Sequence, residues 1–581
     1  MQYLTRSRTG LLAIILLGAM AIFVLRLFQL QILQHSEYVE RARQSQQRSF
    51  VMPATRGEIY MMDGKVAVPV VLNQSAYTMI ADPQTVKSSE RDEILSSLRE
   101  IAGGEMSEDA EGQLKNEKSR YEVLARNLTR AQAEALKKKD FSGILYQQGS
   151  IRSYPEGKLG AHVLGFVNTE GKGQYGVEGG LDERLKGSDG LLRSVTDVRN
   201  VPLTVGKDNI RVEPKSGENI VLTIDRNIQS YAEEALKSGL DKASATTEGS
   251  VLIMNPNTGQ VLAMANYPTY DPAEYSKVED ASVFMNQTTM VPNEMGSIMK
   301  SFTIATGLDK GAITPQSTYM NTDCIEVADR TMCNSTKGLG GVTDIQGIIT
   351  NSLNVGTITV GRRLGNGSQI DLSARQILYE YYHDRFGLGE KTGIEIAEEQ
   401  GYIYPPDSVE GNEVRYSAMT YGQSMTLTMI QVATGFCSIV NGGQYYQPTL
   451  LDGTMDESGN LTPSQHKPIR QTISEQTSAE VRQLLYTARS STWLGKEDKA
   501  GYIVGGKTGT SETVVDGKYT QTETSATYIG YGGTDAPEYV IMVRVAAPGK
   551  GLNLEGGLHA GPIFTEISNW MIDYMKLAPR R

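Results

Sequence analysis

The sequence predicts an α/β protein in three parts: one transmembrane helix, a mixed α+β domain, and an α/β sandwich with an antiparallel sheet. Three observations support this prediction. An uncharged apolar run lies near the N-terminus, and a chain of 581 residues is too long for one hydrophobic core. Strand-like runs also occur at both ends of the C-terminal region, with helical segments between them. The two groups of strands are therefore expected to meet in one sheet.

The apolar run from Gly10 to Leu25 contains sixteen residues without a charge. A helix of that length rises ~24 Å, slightly less than the ~30 Å hydrocarbon core of a bilayer. The long side chain of Arg26 can reach the interface, which extends the span. A cleavable signal peptide is the alternative, but no small-x-small cleavage site follows the run. We expect a cytoplasmic tail at 1–9, a transmembrane anchor at 10–30, and a single-pass protein of the cytoplasmic membrane with its catalytic domain outside the cytoplasm.

The first predicted domain covers 31–215 and carries a mixed pattern. Strand-like runs lie at 66–72 and 77–81, and charged helical stretches lie at 89–101 and 128–139. Nothing in this region combines a nucleophile, a base and an orienting group at a recognisable spacing. We interpret it as a non-catalytic structural or interaction domain.

The second predicted domain covers 216–578. A Pro/Asn/Gly cluster at 255–259 joins two β-rich runs and indicates a hairpin. Another hairpin turn is predicted at Asp516-Gly517, between strands that follow Ile503. Further predicted elements are strands at 220–224, 249–254, 260–265, 528–531 and 539–546, and helices at 226–240, 298–309, 344–365, 426–440 and 564–577.

Composition excludes several functions. The net charge of -11 argues against a nucleic-acid surface, because binding to phosphate backbones needs clustered cations. The three cysteines form no C-x-x-C pair and H-E-x-x-H is absent, so neither a metal site nor a cofactor is predicted. Cys324 and Cys333 are close enough in sequence to form a disulfide in an oxidising compartment, and two free thiols are the alternative.

Three short motifs occur in the second domain in the order Ser297–Lys300 (S-x-x-K), Ser352–Asn354 (S-x-N) and Lys507–Thr510 (K-T-G-T). The first opens an apolar helical run, so that its serine and lysine, three residues apart, share one helix face. The second lies in a link between two predicted helices. The third lies in a strand that leads into a predicted hairpin. These contexts can bring the three motifs to one site.

Each motif also occurs a second time in a less suitable context. Ser464–Lys467 repeats S-x-x-K, but Pro468 follows directly and prevents a helix from aligning the two side chains. Ser458–Asn460 lies in a polar surface turn. Lys391–Gly393 follows a glycine-rich loop. Only the first set combines the right contexts with the right order.

The three motifs in this order resemble those of the penicillin-binding transpeptidases and serine β-lactamases. Other segments extend the resemblance to class B penicillin-binding proteins over nearly the whole chain. Arg56–Tyr60 and Gly160–Phe166 look like motifs of their non-catalytic pedestal or dimerisation domain, and Met254–Met264 looks like the start of their transpeptidase domain. The resemblance implies a serine β-lactamase/transpeptidase-like fold and a serine-type D,D-transpeptidase that cross-links peptidoglycan.

Attack on a D-Ala-D-Ala peptide bond requires an activated hydroxyl, a proton acceptor and a donor for the leaving amine. The resemblance assigns Ser297 as the nucleophile. Lys300, buried near a second cation, would have a depressed pKa and could act as the base. Ser352 can relay the proton to the leaving nitrogen, and Asn354 can hold the substrate amide.

The strand motif is expected to bind the substrate. Thr508 and Thr510 project to the same side of the strand and can receive the terminal carboxylate, while Lys507 adds positive charge. Gly509 leaves room for the backbone to approach. By resemblance, the backbone N–H groups of Ser297 and Thr510 form the oxyanion hole. Strict alternation places Lys507 on the opposite side from Thr508, so that its stem must reach round the strand.

Several alternatives stay open. A β-lactamase, a carboxypeptidase and a membrane β-lactam sensor are disfavoured by the large first domain and the single anchor. Tyr416–Gly422 looks closer to the septal division branch of class B, although Thr426–Met429 lacks the proline usual there. An elongation-type transpeptidase and a non-catalytic division scaffold are the other interpretations. The implied partners are stem peptides as donor and acceptor, β-lactams as inhibitors, a SEDS-family glycan polymerase and other division proteins.

Overall fold

The computed structural model describes residues 8–38, 47–195, 210–243, 248–515 and 518–580. The chain divides into two compact units. Unit 1 comprises 1–56 and 186–217, and unit 2 comprises 57–185 and 218–581.

Unit 1 contains the N-terminal helix and a small sheet. The helix runs from Arg8 to Phe28 and continues as a wider turn over Gln29–Leu33. Its apolar stretch of 24 residues, Gly10–Leu33, is long enough to cross a bilayer, and the most apolar part of it is not buried in the protein. The sheet has three antiparallel strands, Gln47–Met52, Gly190–Val195 and Ile210–Val212.

A five-stranded antiparallel sheet forms the centre of unit 2, and we call it the central sheet. Both ends of the C-terminal region contribute to it, as the sequence predicts. In spatial order its strands are Val261–Tyr267, Glu248–Met254, Pro537–Ala546, Lys518–Gly533 and Ile503–Val515. The last of these, which carries the K-T-G-T motif, is an edge strand with one side of its backbone unpaired within the sheet. The turn predicted at Asp516-Gly517 lies outside the described residues.

Each face of the central sheet packs against helices. On one face, Arg226–Lys242 and Gly561–Tyr574 enclose an apolar core. On the other face, a larger core surrounds the buried helices Lys300–Asp309 and Met429–Val440. Further α-helices of this side are Ile345–Thr350, Asn354–Arg363, Leu372–Tyr379, Glu413–Met419 and Glu475–Ser490, with a single turn at Gln287–Met290. The single turn Trp493–Lys496 instead contributes Leu494 to the core of the first face.

A seven-stranded sheet forms the other part of unit 2. In it, Asn219–Asp225 lies parallel to Ile59–Asp63, and the other pairings are antiparallel. The sequence assigns Asn219–Asp225 to the second domain, whereas the structure pairs it with a strand of the first. The other strands are Val66–Ala81, Glu122–Leu128, Ile144–Ser153, Leu451–Met455 and Leu461–Pro463. The helices Arg91–Ile101, Ala110–Lys115 and Arg130–Lys137 belong to this part, followed by short helices at Ala161–Leu164, Gly176–Gly180 and Asp182–Leu185.

Four two-stranded antiparallel sheets and several tight turns complete the fold of the described residues. The sheets pair Phe166–Val167 with Gly173–Gln174, Thr318–Asn321 with Gly341–Asp344, Cys324–Val327 with Arg330–Cys333, and Gln444–Tyr445 with Arg470–Gln471. The turns are 3₁₀-helices at Ser88–Glu90, Gly103–Glu105, Pro272–Lys277, Ala281–Phe284 and Gly296–Met299, and π-helices at Glu380–Arg385 and Gly556–Ala560.

A buried ion pair holds strands of the seven-stranded sheet to a neighbouring helix. The Arg152 guanidinium donates to the Glu178 carboxylate at 2.6 Å, to Asn73 Oδ1 at 2.8 Å and to the Gly57 carbonyl at 2.6 Å. Both charged side chains are almost fully excluded from solvent. A charge in such a place is stable only while its partner compensates for the lost hydration.

We expect Arg152→Ala to destabilise the protein by about 3–5 kcal/mol, because it removes a buried guanidinium charge that binds the buried Glu178 carboxylate at 2.6 Å. The matched control is Arg184→Ala, which removes an ion pair with Glu218 whose side chains are 37% and 53% exposed. That loss should cost less than about 1 kcal/mol. Thermal and denaturant unfolding of the full-length protein in detergent measures both changes. Equal losses for the two variants would contradict the expectation.

Candidate active site

The S-x-x-K motif lies where a tight turn enters a buried helix. The turn spans Gly296–Met299, and the helix begins at Lys300. Gly296 has a positive φ of 59° and lies so close to the Thr510 backbone that a Cβ atom would collide with the Thr510 carbonyl. Glycine is therefore needed here for both its conformation and its size. This close approach brings the Ser297 turn against the K-T-G-T strand.

The Lys300 amine is the point at which the first two motifs meet. Its Nζ lies 2.7 Å from Ser297 Oγ and 2.7 Å from Asn354 Oδ1. It also lies 3.0 Å from the Ser352 carbonyl and 3.1 Å from Ser352 Oγ. The lysine side chain is fully buried. The three sequence-predicted groups are therefore within hydrogen-bond distance of one nitrogen.

The partners of Lys300 match a neutral amine. The Ser352 carbonyl can only accept hydrogen bonds, and Asn354 Oδ1 can only accept as well. These two oxygens use both N–H bonds of a neutral amine, which leaves its lone pair for a hydroxyl. Ser297 Oγ at 2.7 Å is the nearer of the two hydroxyls in contact. The geometry is that of a base placed to receive the Ser297 proton.

Burial lowers the pKa of Lys300 well below its usual value, and the positive charge of Lys507 lowers it further. Both effects disfavour the ammonium form, the first because the charge loses hydration and the second because like charges repel. The electrostatics therefore favour the neutral state, which the two acceptor-only partners of Lys300 also permit.

The S-x-N motif separates two helices, as the sequence predicts, and divides the predicted helix 344–365 into Ile345–Thr350 and Asn354–Arg363. Ser352 has a positive φ of 54°, a conformation that costs energy for a residue with a side chain. In this conformation both its carbonyl and its hydroxyl face Lys300. The strained backbone conformation of Ser352 therefore places two of the groups that contact Lys300.

The orientation of the Asn354 amide is fixed from outside the motif. Its Nδ2 donates to the Cys333 carbonyl at 2.9 Å, so that Oδ1 is left to accept from Lys300. Cys333 forms a disulfide with Cys324 across the hairpin in which the two residues are paired. The sequence left a disulfide and two free thiols as alternatives for these cysteines, and the structure contains the disulfide.

Lys507 lies on the edge strand, and its stem reaches round the strand as expected. Its Nζ donates to Ser352 Oγ at 3.0 Å, to the Thr508 carbonyl at 3.1 Å and to Thr508 Oγ1 at 3.2 Å. Three acceptors suit an ammonium with three N–H bonds. Burial nevertheless lowers the pKa of Lys507 to about 7. The third motif thus joins the first two through the Ser352 hydroxyl.

The rest of the K-T-G-T strand lies beside the Ser297 turn. A Cβ atom on Gly509 would collide with the Thr527 side chain and approach the Met295 carbonyl at 2.7 Å, so only glycine fits. Thr508 is half-buried and Thr510 is exposed. Thr510 Oγ1 accepts from the Gly556 backbone N–H at 3.3 Å. The strand therefore leaves polar groups at an accessible edge next to Ser297.

The second copies of the motifs do not join this site. The backbone N–H groups of Thr392 and Gly393 bind the Glu398 carboxylate in a separate loop. Ser458 lies in a turn in which its N–H binds Asp456. The local sequence context therefore predicted which copy of each motif lies in the site around Lys300.

Two groups of the site escaped the sequence analysis. One is the Cys333 carbonyl, which belongs to the backbone and has no side-chain signal. The other is Tyr421, whose ring centroid lies 5.9 Å from Lys300 Nζ. Tyr421 lies in the segment YSAMTYG, which was used only to distinguish two branches of a family.

Comparison with known proteins adds independent findings. Residues 249–569 match the family described as penicillin binding protein transpeptidase domain. Residues 51–222 match the penicillin-binding protein dimerisation domain. The first domain match ends at 222 and the transpeptidase match begins at 249, both beyond the predicted domain boundary at 215–216, which itself stays a prediction.

Curated relatives match over nearly the whole chain. Stage V sporulation protein D of Bacillus subtilis is 30% identical over 585 residues, covering 99% of this chain and 87% of the relative. The probable peptidoglycan D,D-transpeptidase PenA of Neisseria meningitidis is 27% identical, covering 92% of this chain and 87% of the relative.

Among solved structures, penicillin binding protein 3 of Mycobacterium tuberculosis in complex with aztreonam is similar in fold. The TM-score is 0.67 at 22% identity, with 91% of this chain and 98% of that chain covered. The predicted fold, an α/β sandwich with an antiparallel sheet that follows a mixed α+β domain and an N-terminal apolar helix, is confirmed.

Proposed function

Because the chain belongs to the class B penicillin-binding proteins, which are serine-type peptidoglycan D,D-transpeptidases, we propose that Ser297 carries the acyl group in stem-peptide cross-linking. One observation carries this assignment. The buried amine of Lys300 lies 2.7 Å from Ser297 Oγ while two acceptor oxygens occupy its N–H bonds. A serine hydroxyl beside the lone pair of a neutral amine is an activated nucleophile.

Acylation begins when Ser297 Oγ attacks the carbonyl carbon between the two D-alanines and its proton passes to Lys300 Nζ. The oxyanion is stabilised by backbone N–H groups, for which we propose those of Ser297 and Thr510. Collapse of the tetrahedral intermediate breaks the peptide bond. The proton passes from Lys300 through the Ser352 hydroxyl to the leaving nitrogen, and the terminal D-alanine departs as a neutral amine.

The donor peptide is positioned by the edge strand and by Asn354. Its terminal carboxylate fits the positive charge of Lys507 and the hydroxyls of Thr508 and Thr510. Its backbone can extend along the unpaired strand edge, as peptides do when they add a strand to a sheet. Gly509 permits this approach because no side chain stands in the way.

Deacylation transfers the acyl group to the amine of a second stem peptide. The amine attacks the ester carbonyl, loses a proton to the neutral Lys300 through Ser352, and expels Ser297 Oγ, which recovers its proton. Water in place of the amine would give hydrolysis. The proposed product is therefore a cross-link between two stem peptides.

We expect Ser297→Ala in the full-length protein in detergent to lose covalent labelling by a fluorescent penicillin, because the variant has no oxygen to acylate. The matched control is Ser464→Ala, which alters the second S-x-x-K copy and should label like the unmodified protein. Labelling of Ser297→Ala at the original rate would overturn the assignment. Rapid loss of the label from the unmodified protein would favour a hydrolase.

The pH dependence of acylation should reflect Lys507. Its ammonium form exists below its pKa of about 7, so that carboxylate binding to the free protein weakens as the pH rises through that value. We expect the second-order rate constant for penicillin acylation to fall above pH about 7. Lys507→Arg should abolish this fall, since a guanidinium stays charged with a pKa above about 12. Stopped-flow labelling between about pH 5 and about pH 10 measures this profile.

The matched control for this experiment is Lys391→Arg, in the second K-T-G copy. Its pH profile should coincide with that of the unmodified protein. An unchanged alkaline fall in Lys507→Arg would contradict the assignment of the ionisation to Lys507.

We also propose a place in the cell for this activity. The N-terminal apolar helix fits a single-pass anchor in the cytoplasmic membrane, with the catalytic part outside the cytoplasm. The likeness of Tyr416–Gly422 to the division branch favours septal wall synthesis, with a SEDS-family polymerase and other division proteins as partners. β-Lactams are proposed as inhibitors because aztreonam occupies a protein of the same fold. An elongation role and a non-catalytic scaffold are the alternatives.

Localisation separates these alternatives. A fluorescent fusion of the full-length chain should concentrate at division septa, since a septal enzyme is needed only where new cross-wall forms. A uniform signal along the side wall would favour elongation. Normal septation in cells that carry only the Ser297→Ala chain would favour the scaffold.

A further inference from the structure

The Tyr421 ring lies beside the buried Lys300 amine. Ser297, Ser352 and Asn354 supply the polar contacts of Nζ. The Tyr421 ring adds an aromatic surface with its centroid 5.9 Å from the same nitrogen. The ring is half-buried and packs against the large core of unit 2, whereas Lys300 is fully buried. A partly exposed ring therefore stands next to an amine that solvent does not reach.

The backbone on both sides of Tyr421 is tied to the Lys300 helix. The Thr420 carbonyl accepts from Thr303 Oγ1 at 2.6 Å, one helical turn beyond Lys300. The Gly422 carbonyl accepts from the Gly296 N–H at 3.1 Å, just before Ser297. These two bonds fix the position of the ring relative to the amine.

The Thr303 hydroxyl, which binds the Thr420 carbonyl, is itself in contact with the Tyr382 hydroxyl. Tyr382 OH lies 2.6 Å from Thr303 Oγ1 in a fully buried environment. Since the Thr303 hydroxyl donates its proton to the Thr420 carbonyl, Tyr382 donates to Thr303. Replacing the Tyr421 side chain leaves all these backbone bonds intact, so that its effect can be tested separately from the fold.

An aromatic ring beside an amine has two opposing effects. Its π face attracts the ammonium form, by about 0.5–1 kcal/mol at ordinary sites and less at the outer limit of ~6 Å. Its bulk excludes water, which disfavours the same charge. Because the ring centroid lies 5.9 Å from Nζ, close to that limit, and the amine is fully buried, we take exclusion of water as the larger effect.

We propose that Tyr421 is a positioning residue that keeps Lys300 neutral by excluding water from the surroundings of its amine. The role rests on the proposed function, in which Lys300 accepts the Ser297 proton. It goes beyond that function because it places control of the base in a residue outside the three motifs.

The other charged groups near this position are consistent with that role. Lys507, on the edge strand, is the charge that acts on Lys300. The carboxylates of Glu294 and Glu512 act on the Tyr421 phenol, whose pKa is raised to about 12 by burial first and by those charges second. The phenol is therefore neutral at neutral pH and contributes no charge of its own. The Tyr421 side chain therefore affects Lys300 through its aromatic ring and not through a charge.

The test compares Tyr421→Ala with Tyr421→Phe in the full-length protein in detergent. Brief acetylation by acetic anhydride at a series of pH values, read by mass spectrometry of the Lys300 peptide, gives the ionisation midpoint of that lysine. The rate of penicillin acylation over the same pH range rises as Lys300 loses its proton, and the midpoint of that rise is the second readout. We expect Tyr421→Ala to raise both midpoints together by about one pH unit, a tenfold loss of neutral lysine below the midpoint. Tyr421→Phe should retain both original midpoints, because it keeps the ring.

Tyr121→Ala, which removes a 60% exposed tyrosine of the first domain, is the control. Equal Lys300 midpoints in folded Tyr421→Ala and the unmodified protein would overturn the proposal, as would a shift in Tyr421→Phe equal to that in Tyr421→Ala. If Tyr421→Ala fails to fold, Tyr421→Leu replaces it, with a smaller rise of the midpoint expected and no rise contradicting the proposal. If the unmodified protein takes no penicillin on Ser297, the proposed function fails, while the acetylation midpoints still decide the role of Tyr421.

Discussion

The site depends on a lysine amine that is removed from water and still has its N–H bonds satisfied. An unpaired buried ammonium is costly, whereas a neutral amine between acceptors is not. The Ser352 carbonyl and Asn354 Oδ1 supply the acceptors for Lys300. The positive charge of Lys507 adds a second reason for neutrality. Much of the surrounding structure, including the strained backbone of Ser352, serves to hold these few atoms in place.

Close contact between backbones makes this arrangement possible. The edge strand, the Ser297 turn and the loop at Gly422 approach one another where glycines replace side chains, at Gly296, Gly422 and Gly509. The central sheet provides the rigid support, because its antiparallel register fixes Lys507 opposite Ile529. A flexible loop could present the same side chains, but it could not keep two lysines at a fixed separation from one serine hydroxyl.

Sequence patterns predicted most segments of unit 2, including the strand pair at 249–265 and the closing helix, because periodicity and turn residues are local properties. They do not reach pairing that is decided at long range. Asn219–Asp225 pairs with Ile59–Asp63 on one side and with Leu451–Met455 on the other. The break between the helices Ile345–Thr350 and Asn354–Arg363 was predicted, but the left-handed conformation of Ser352 within it was not.

The sequence by itself determined which reactive groups are present, their order, and which copy of each motif has a suitable local context. Those properties depend on neighbours within a few residues. Only the tertiary structure decided the ionisation of Lys300, the orientation of Asn354 by the Cys333 carbonyl, and the aromatic cover from Tyr421. These depend on loss of hydration and on hydrogen-bond partners far apart in the chain, and a linear pattern contains neither.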